Sequence, residues 1–91
     1  MLQPLHTKPF RKHYKLMQKR GMEMAKLVEV MDMIINETPL PPRYCNHPLH
    51  GKWRGSFDCH IQGDWILIYK PDHTNSTVTF QATGTHSDLD I

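Results

Sequence analysis

The hydrophobic period of this chain changes once, and that change constrains its fold more than any other feature. Up to residue 36, apolar residues recur at helical spacing; beyond residue 51 they alternate with a period of two. Between the two regimes, TPLPPRYCNHPLHG (residues 38–51) contains Pro39, Pro41, Pro42 and Pro48. Prolines lack the backbone donor that a helix interior or central strand needs, so this segment reads as an ordered loop. Helices followed by strands predict an α+β fold, an N-terminal helical hairpin packed on a small antiparallel sheet. A chain of 91 residues is expected to be a single domain spanning 1–91, with one modest core.

The hairpin can be read residue by residue. Thr7 is a plausible N-cap and Pro9 suits a first helical turn. Phe10, Tyr14 and Met17 then follow at helical spacing, with Lys8, Lys12, Lys15 and Lys19 on the opposite side. Gly21 is placed to end this helix as its left-handed terminal residue. A second helix is expected over 22–36, with Met24, Leu27, Val28, Met31, Ile34 and Ile35 as its apolar face and Pro39 beyond its end. Its methionines read as core, since the unbranched thioether fills irregular gaps.

In the second half, 52–62, 65–70 and 77–82 read as strands, separated by turns at Gly63-Asp64 and at 71–76. WILIYK (65–70) is mostly apolar and is expected at the sheet centre. The tail TGTHSDLDI could add a helical turn.

Charge is unevenly spread. Residues 1–43 carry eight Lys/Arg and four Asp/Glu, whereas 44–91 carry three and five. Lys8, Arg11, Lys12, Lys15, Lys19 and Arg20 lie together without an acid. Such a stripe suits a polyanionic partner, and it is also what a solvated helix face looks like. No apolar run approaches the ~20 residues of a membrane span, so no membrane partner is expected. The start MLQPLHTKPF lacks a signal peptide's apolar stretch, so a cytoplasmic product is expected. Two cysteines are too few for a disulfide framework.

The chemistry-bearing residues lie in the strand half: His47, His50, His60, His73 and His86, with Asp64. Histidines beside a carboxylate are the usual material for acid–base work near neutral pH. Cys45, His47, His50, Cys59 and His60 could also be zinc donors, but C-x-H-x₂-H and an adjacent Cys-His are poor zinc spacings. Neighbours on a strand face opposite ways, which separates Cys59 from His60. No metal or other cofactor is expected. Cys59 reads as core filler, and no phosphate-binding glycine loop or nucleophile elbow is present.

These residues carry a resemblance. His47-Pro48-Leu49, Gly51-Lys52-Trp53-Arg54-Gly55, Asp58-Cys59-His60-Ile61, Asp64-Trp65-Ile66-Leu67-Ile68-Tyr69-Lys70 and Thr83-Gly84-Thr85-His86-Ser87-Asp88-Leu89 resemble, in order, the YafQ branch of the RelE-type toxins. These are the toxin halves of bacterial toxin–antitoxin pairs, and the likeness extends through the hairpin. It implies a RelE-like fold and a metal-independent endoribonuclease that cleaves mRNA in the ribosomal A site and inhibits translation. The 2′-hydroxyl attacks the adjacent phosphate, leaving a 2′,3′-cyclic phosphate. The matching site positions are His47, His60, Asp64 and His86, with Trp65 beside the aspartate. Asp64 is then expected as base and His86 as acid, with His47 and His60 stabilising the phosphate.

The same resemblance implies a cognate antitoxin that wraps the hairpin or covers the site, and operator DNA bound only through that antitoxin. It gives the stripe Lys8, Arg11, Lys12, Lys15 and Lys19 a use against ribosomal RNA phosphates. Trp65 could stack on a base, or it could be core, since it shares parity with Leu67 and Tyr69.

One departure stands out. The family carries an arginine before its TG-[ST]-H run, where this chain has Ala82. By regular alternation Ala82 would share a core face with Val78 and Phe80. Otherwise the chain lacks a phosphate-facing guanidinium, whether replaced to permit production or lost naturally, and is weakened. A non-catalytic member that binds ribosome or antitoxin and acts in operon repression is the alternative.

Overall fold

The computed structural model describes residues 1–91. Its elements are β1 (Gln3–His6), α1 (Lys8–Lys19), α2 (Met24–Ile35), β2 (His47–Pro48), β3 (Phe57–Gln62), β4 (Trp65–Asp72), β5 (Thr77–Thr85) and α3 (His86–Leu89), with 3-10 turns at Pro42–Tyr44 and Gly51–Trp53. The order is that of an α+β fold, as the period change predicts.

Helix α1 starts where the sequence places it. Thr7 Oγ1 accepts the Phe10 amide at 3.1 Å and donates to the Gln81 carbonyl at 3.0 Å. One cap therefore starts the helix and ties it to β5. Gly21 ends the turn with φ +78°, a conformation that favours glycine. Phe10 and Met17 are buried, and Lys8, Arg11, Lys12, Lys15 and Lys19 are exposed. On α2, Leu27, Val30, Met31 and Ile34 are buried. Val28 is 41 % exposed, which corrects its expected place on the apolar face; Val30 takes that place.

The five strands form one sheet in the order β1-β5-β4-β3-β2. The antiparallel sheet expected is in fact mixed, because β1 pairs parallel with β5, Gln3 opposite Thr77. This strand is missing from the sequence reading because it has four residues and includes Pro4. A proline is tolerated there because β1 is an edge strand. Three other bounds differ: 51–53 form a 3-10 turn and β3 begins only at Phe57, β4 runs on to Asp72, and β5 to Thr85.

Both long helices cover one face of the sheet. There Trp65, Leu67, Tyr69, Val78, Phe80, Cys59 and Ile61 pack with Leu2, Phe10, Met17, Leu27 and Val30. Each fully buried large apolar side chain in this layer contributes about 1.5–3 kcal/mol. The opposite face carries a smaller cluster of Ile66, Ile68, Ala82 and Leu89, against which Leu49 and Trp53 are packed. That second face carries the histidines.

Strand β5 has a bulge. Ile68 pairs with Ala82, but its neighbour Tyr69 pairs with Phe80, so Gln81 is an extra residue. The bulge reverses the strand's parity. Ala82 is therefore buried with Ile66 and Ile68, on the face opposite Val78 and Phe80, which corrects the reading by regular alternation. Gln81 is held on both sides: Ser56 Oγ donates to its Oε1 at 2.6 Å, and Thr7 to its carbonyl.

Candidate functional site

Register brings the chemistry together. His47 of β2 pairs with Asp58 of β3, Asp58 with Ile68 of β4, and His60 with Ile66. Directly paired residues share a face, so Asp58 and His60 stand beside the second cluster, away from the long helices. Asp64 occupies the β3–β4 turn, and α3 starts with His86 at the same end of the sheet, directly after β5.

His86 Nδ1 is hydrogen-bonded to Asp64 Oδ1. That bond holds the Asp64 carboxyl below its ordinary range, against the opposing effect of burial. The His60 and His86 rings lie with centroids 5.2 Å apart and planes at 59°. His47 Nδ1 lies 2.8 Å from the Cys45 carbonyl and 2.9 Å from Asp58 Oδ1. The first contact is directed and the second is only proximity, because Asp58 Oδ1 is buried with no properly aimed donor. The expected residues His47, His60, Asp64 and His86 thus gather along one face.

Asp58 joins them, a residue the sequence offers only as part of the run Asp58-Cys59-His60-Ile61. It is 2 % exposed, a carboxylate buried among histidines. The available signal was its parity with His60, two residues on along the same strand. One oxygen of Asp58 and one nitrogen each of His60 and His86 lie within 4.8 Å of one another, close enough to hold a metal ion. This trio differs from the Cys45, His47, His50, Cys59 and His60 set weighed above. Cys59 is buried in the opposite core, and burial pushes its thiol up to about 12, too high to serve as thiolate nucleophile or ligand.

Trp65 is not at this surface. It is 1 % exposed in the helix-facing core, and its Nε1 donates to Thr83 Oγ1 at 2.9 Å. Strand alternation turns it away from His60 and His86, so the stacking role is corrected to a core role. His50 and His73 are exposed; His73 Nδ1 lies 3.5 Å from Glu37, far from the site in the fold. Ala82 borders a pocket of about 400 Å³ together with His13, Trp53, Asp88 and Leu89.

A helical pair on one side of a mixed sheet, with histidines and aspartates along the other, is the architecture of a type II toxin–antitoxin toxin. The family model described as "Bacterial toxin of type II toxin-antitoxin system, YafQ" matches residues 2–91, and the chain belongs to that family. The mRNA interferase toxin YafQ of Escherichia coli K12 is 48% identical over 81 residues, covering 88% of this chain and 86% of that protein. The E. coli DinJ–YafQ complex superposes with a TM-score of 0.90 at 42% identity, covering 98% of each chain. A metal-bound toxin from Helicobacter pylori superposes at 0.91 with 32% identity, covering 98% of this chain and 99% of that one. No helix is long and apolar enough to cross a membrane.

Proposed function

We propose that this chain is a ribosome-dependent mRNA endoribonuclease, neutralised by an antitoxin. The observation that carries the reading is the trio of His60, His86 and Asp64, with the two imidazoles side by side and Asp64 bonded to one of them. It is supported by the 48% identity to an mRNA interferase toxin.

The geometry favours a division of labour different from the one expected. Asp64 is held below the usual carboxylate range and is therefore a poor proton acceptor. It suits the task of orienting His86, accepting Nδ1–H and directing Nε2 outward. In this reading His60 removes the 2′-hydroxyl proton. The 2′-oxygen bonds to phosphorus and the P–O5′ bond breaks. His86 delivers a proton to the leaving 5′-oxygen, and the products are a 2′,3′-cyclic phosphate and a 5′-hydroxyl. His47, with its Nδ1 turned inward, offers Nε2 to a phosphate oxygen.

The exposed face of α1 supplies phosphate contacts to ribosomal RNA through Lys8, Lys12, Lys15 and Lys19. The antitoxin reading is supported by the DinJ–YafQ complex. It is also supported by a groove between α1 and α2, lined by Phe10, Tyr14, Val28, Met31 and Ile35 and flanked by Arg11, Lys15 and Asp32, which suits an amphipathic segment.

Two nitrogens and one carboxylate oxygen suit a borderline transition metal. The H. pylori relative is metal-bound. A cation held by His60 and His86 would compete with protons for these two imidazoles, so in this reading a metal inhibits and the cleavage itself needs none.

Ala82 favours a second reading, a member that binds without cutting. Incubation with ribosomes and a defined mRNA, with end mapping, decides. Cuts under the A-site codon ending in 2′,3′-cyclic phosphate support the enzyme. No cuts from either this chain or Ala82→Arg would leave the binding role.

A further inference from the structure

Helix α3 has four residues, His86–Leu89, too few to sustain itself, because a first helical turn is costly to form. His86 is its first residue, so whatever holds α3 aims the imidazole. On the sheet side the hold is Leu89, buried with Ile66, Ile68 and Ala82. On the other side it is Asp88. Its amide donates to Thr85 Oγ1 at 3.0 Å, and its Oδ2 accepts the Thr85 amide at 2.9 Å, a reciprocal capping box. The same carboxylate receives both arms of Arg20, Nη1 at 2.6 Å and Nη2 at 3.0 Å.

Arg20 lies 68 residues away in sequence. It is the C-cap residue of α1, a helix anchored in the main core through Phe10 and Met17. A bidentate guanidinium fixes direction as well as distance. Gly84 makes room for this arrangement, since a Cβ there would meet Asp88 Cβ and Oδ2 at 3.0 Å. His86 is thereby framed by Thr85 and Asp88, and its one side-chain hydrogen bond is to Asp64, on an exposed turn.

We propose that Arg20 and Asp88 are a positioning pair that sets His86 against Asp64 and His60, an inference that rests on the catalytic reading of His86 above. Arg20 then serves the site and not the RNA-binding stripe, although it closes the basic run 8–20. Releasing α3 from α1 lets His86 leave its alignment, and a misplacement of about 1 Å can cost up to ~100-fold in rate.

The test uses the full chain, Arg20→Gln, Arg20→Lys, Asp88→Asn and the Arg20→Gln/Asp88→Asn double variant. Two readouts are taken: ribosome-dependent cleavage, and the ring nitrogen resonances of His86. Arg20→Gln and Asp88→Asn are expected to lower kcat by about 10- to 100-fold at unchanged KM for ribosomes, and to move the His86 signals. Arg20→Lys, which still donates to Asp88, should restore part of the rate. The double variant should be no worse than the poorer single variant, as for two residues acting through one contact.

Unchanged kcat in both single variants overturns the proposal, as do losses that multiply in the double variant. A raised KM in Arg20→Gln alone assigns Arg20 to RNA and also overturns it. If Asp88→Asn fails to fold, the two Arg20 variants carry the test, since their residue lies outside the capping box. If the parent does not cleave, the enzymatic reading fails separately. The resonances then decide: His86 signals that move in Arg20→Gln support positioning, and signals that stay overturn it.

Discussion

His86 and Asp64 stand 22 residues apart in sequence and are joined by a hydrogen bond between Nδ1 and Oδ1. The bond links the N-terminus of α3 to the β3–β4 turn, so Nδ1 of the imidazole is committed and Nε2 is left without a hydrogen-bond partner. This makes the pair separable by mutation. His86→Gln removes the proposed proton donor and is expected to cost about 10²–10⁴ in kcat. Asp64→Asn keeps the shape but removes the charge that orients and supports the ring, and should give a smaller loss at unchanged ribosome binding. Single-turnover cleavage checks both; equal losses would return Asp64 to a direct role in proton transfer.

Position 82 offers a gain-of-function test. The Gln81 bulge turns it toward the second face, and the pocket beside it has room for a longer side chain. Ala82→Arg is expected to fold and to raise cleavage by about 10²–10³, the usual worth of one preorganised donor at a developing anion. Cleavage assays with growth-arrest measurements compare the two chains. Loss of folding would show that Ile66, Ile68 and Leu89 leave no room.

Trp65 separates a core role from an RNA role. Trp65→Phe removes one buried hydrogen bond, worth about 1 kcal/mol, whereas Trp65→Ala should destabilise by about 3–5 kcal/mol. Urea unfolding reads both. Cleavage by folded Trp65→Phe should stay near the parent; a large loss without a stability change would put the indole on RNA after all.

The basic face of α1 is tested by changing Lys8, Lys12, Lys15 and Lys19 to Gln together. Ribosome affinity should fall and its salt dependence should flatten, because fewer counterions are released. The melting temperature should hardly move, since these side chains are exposed. Equal affinity at all salt concentrations would reduce the stripe to a solvated face.

Acid titration reports on Asp88. The Arg20 guanidinium beside it and the Thr85 amide hold its carboxyl well below the usual range. A depressed carboxyl contributes stability that is complete above its unfolded value of about 3.9 and is lost as pH falls toward the folded one. Unfolding midpoints should therefore drop between about pH 4 and pH 2 in the parent and less steeply in Asp88→Asn. Parallel curves would mean that the pair is too well solvated to matter.

Metal sensitivity follows from the trio Asp58, His60 and His86. Chelators should leave cleavage intact, and copper(II) or zinc should suppress it reversibly, with Asp58→Asn reducing the suppression. Activity lost on chelation and restored by metal would make the cation part of the reaction.

Local pattern alone determined much of this protein. The change of period assigned helices to the first half and strands to the second, because side-chain direction repeats with backbone geometry. Thr7 and Gly21 announced the ends of α1 through hydrogen-bonding capacity and conformational freedom. Alternation grouped Trp65 with Leu67 and Tyr69 on one face, and the packing of the long helices made that face the core. The ordered run of His47, His60, Asp64 and His86 made the candidate site legible by resemblance. What only the tertiary structure decided depends on partners distant in sequence. Strand β1 exists because β5 offers it a parallel edge, and four residues containing a proline carry no such signal. Which way Ala82 faces turns on one extra residue, Gln81, and parity across a bulge is defined only against the paired strand. The burial of Asp58 beside His47 follows from β2–β3 register, and Arg20 meets Asp88 because α1 and α3 pack at the same end of β5. Periodicity records how a segment sits in its own backbone; it does not record which distant segment completes its hydrogen bonds.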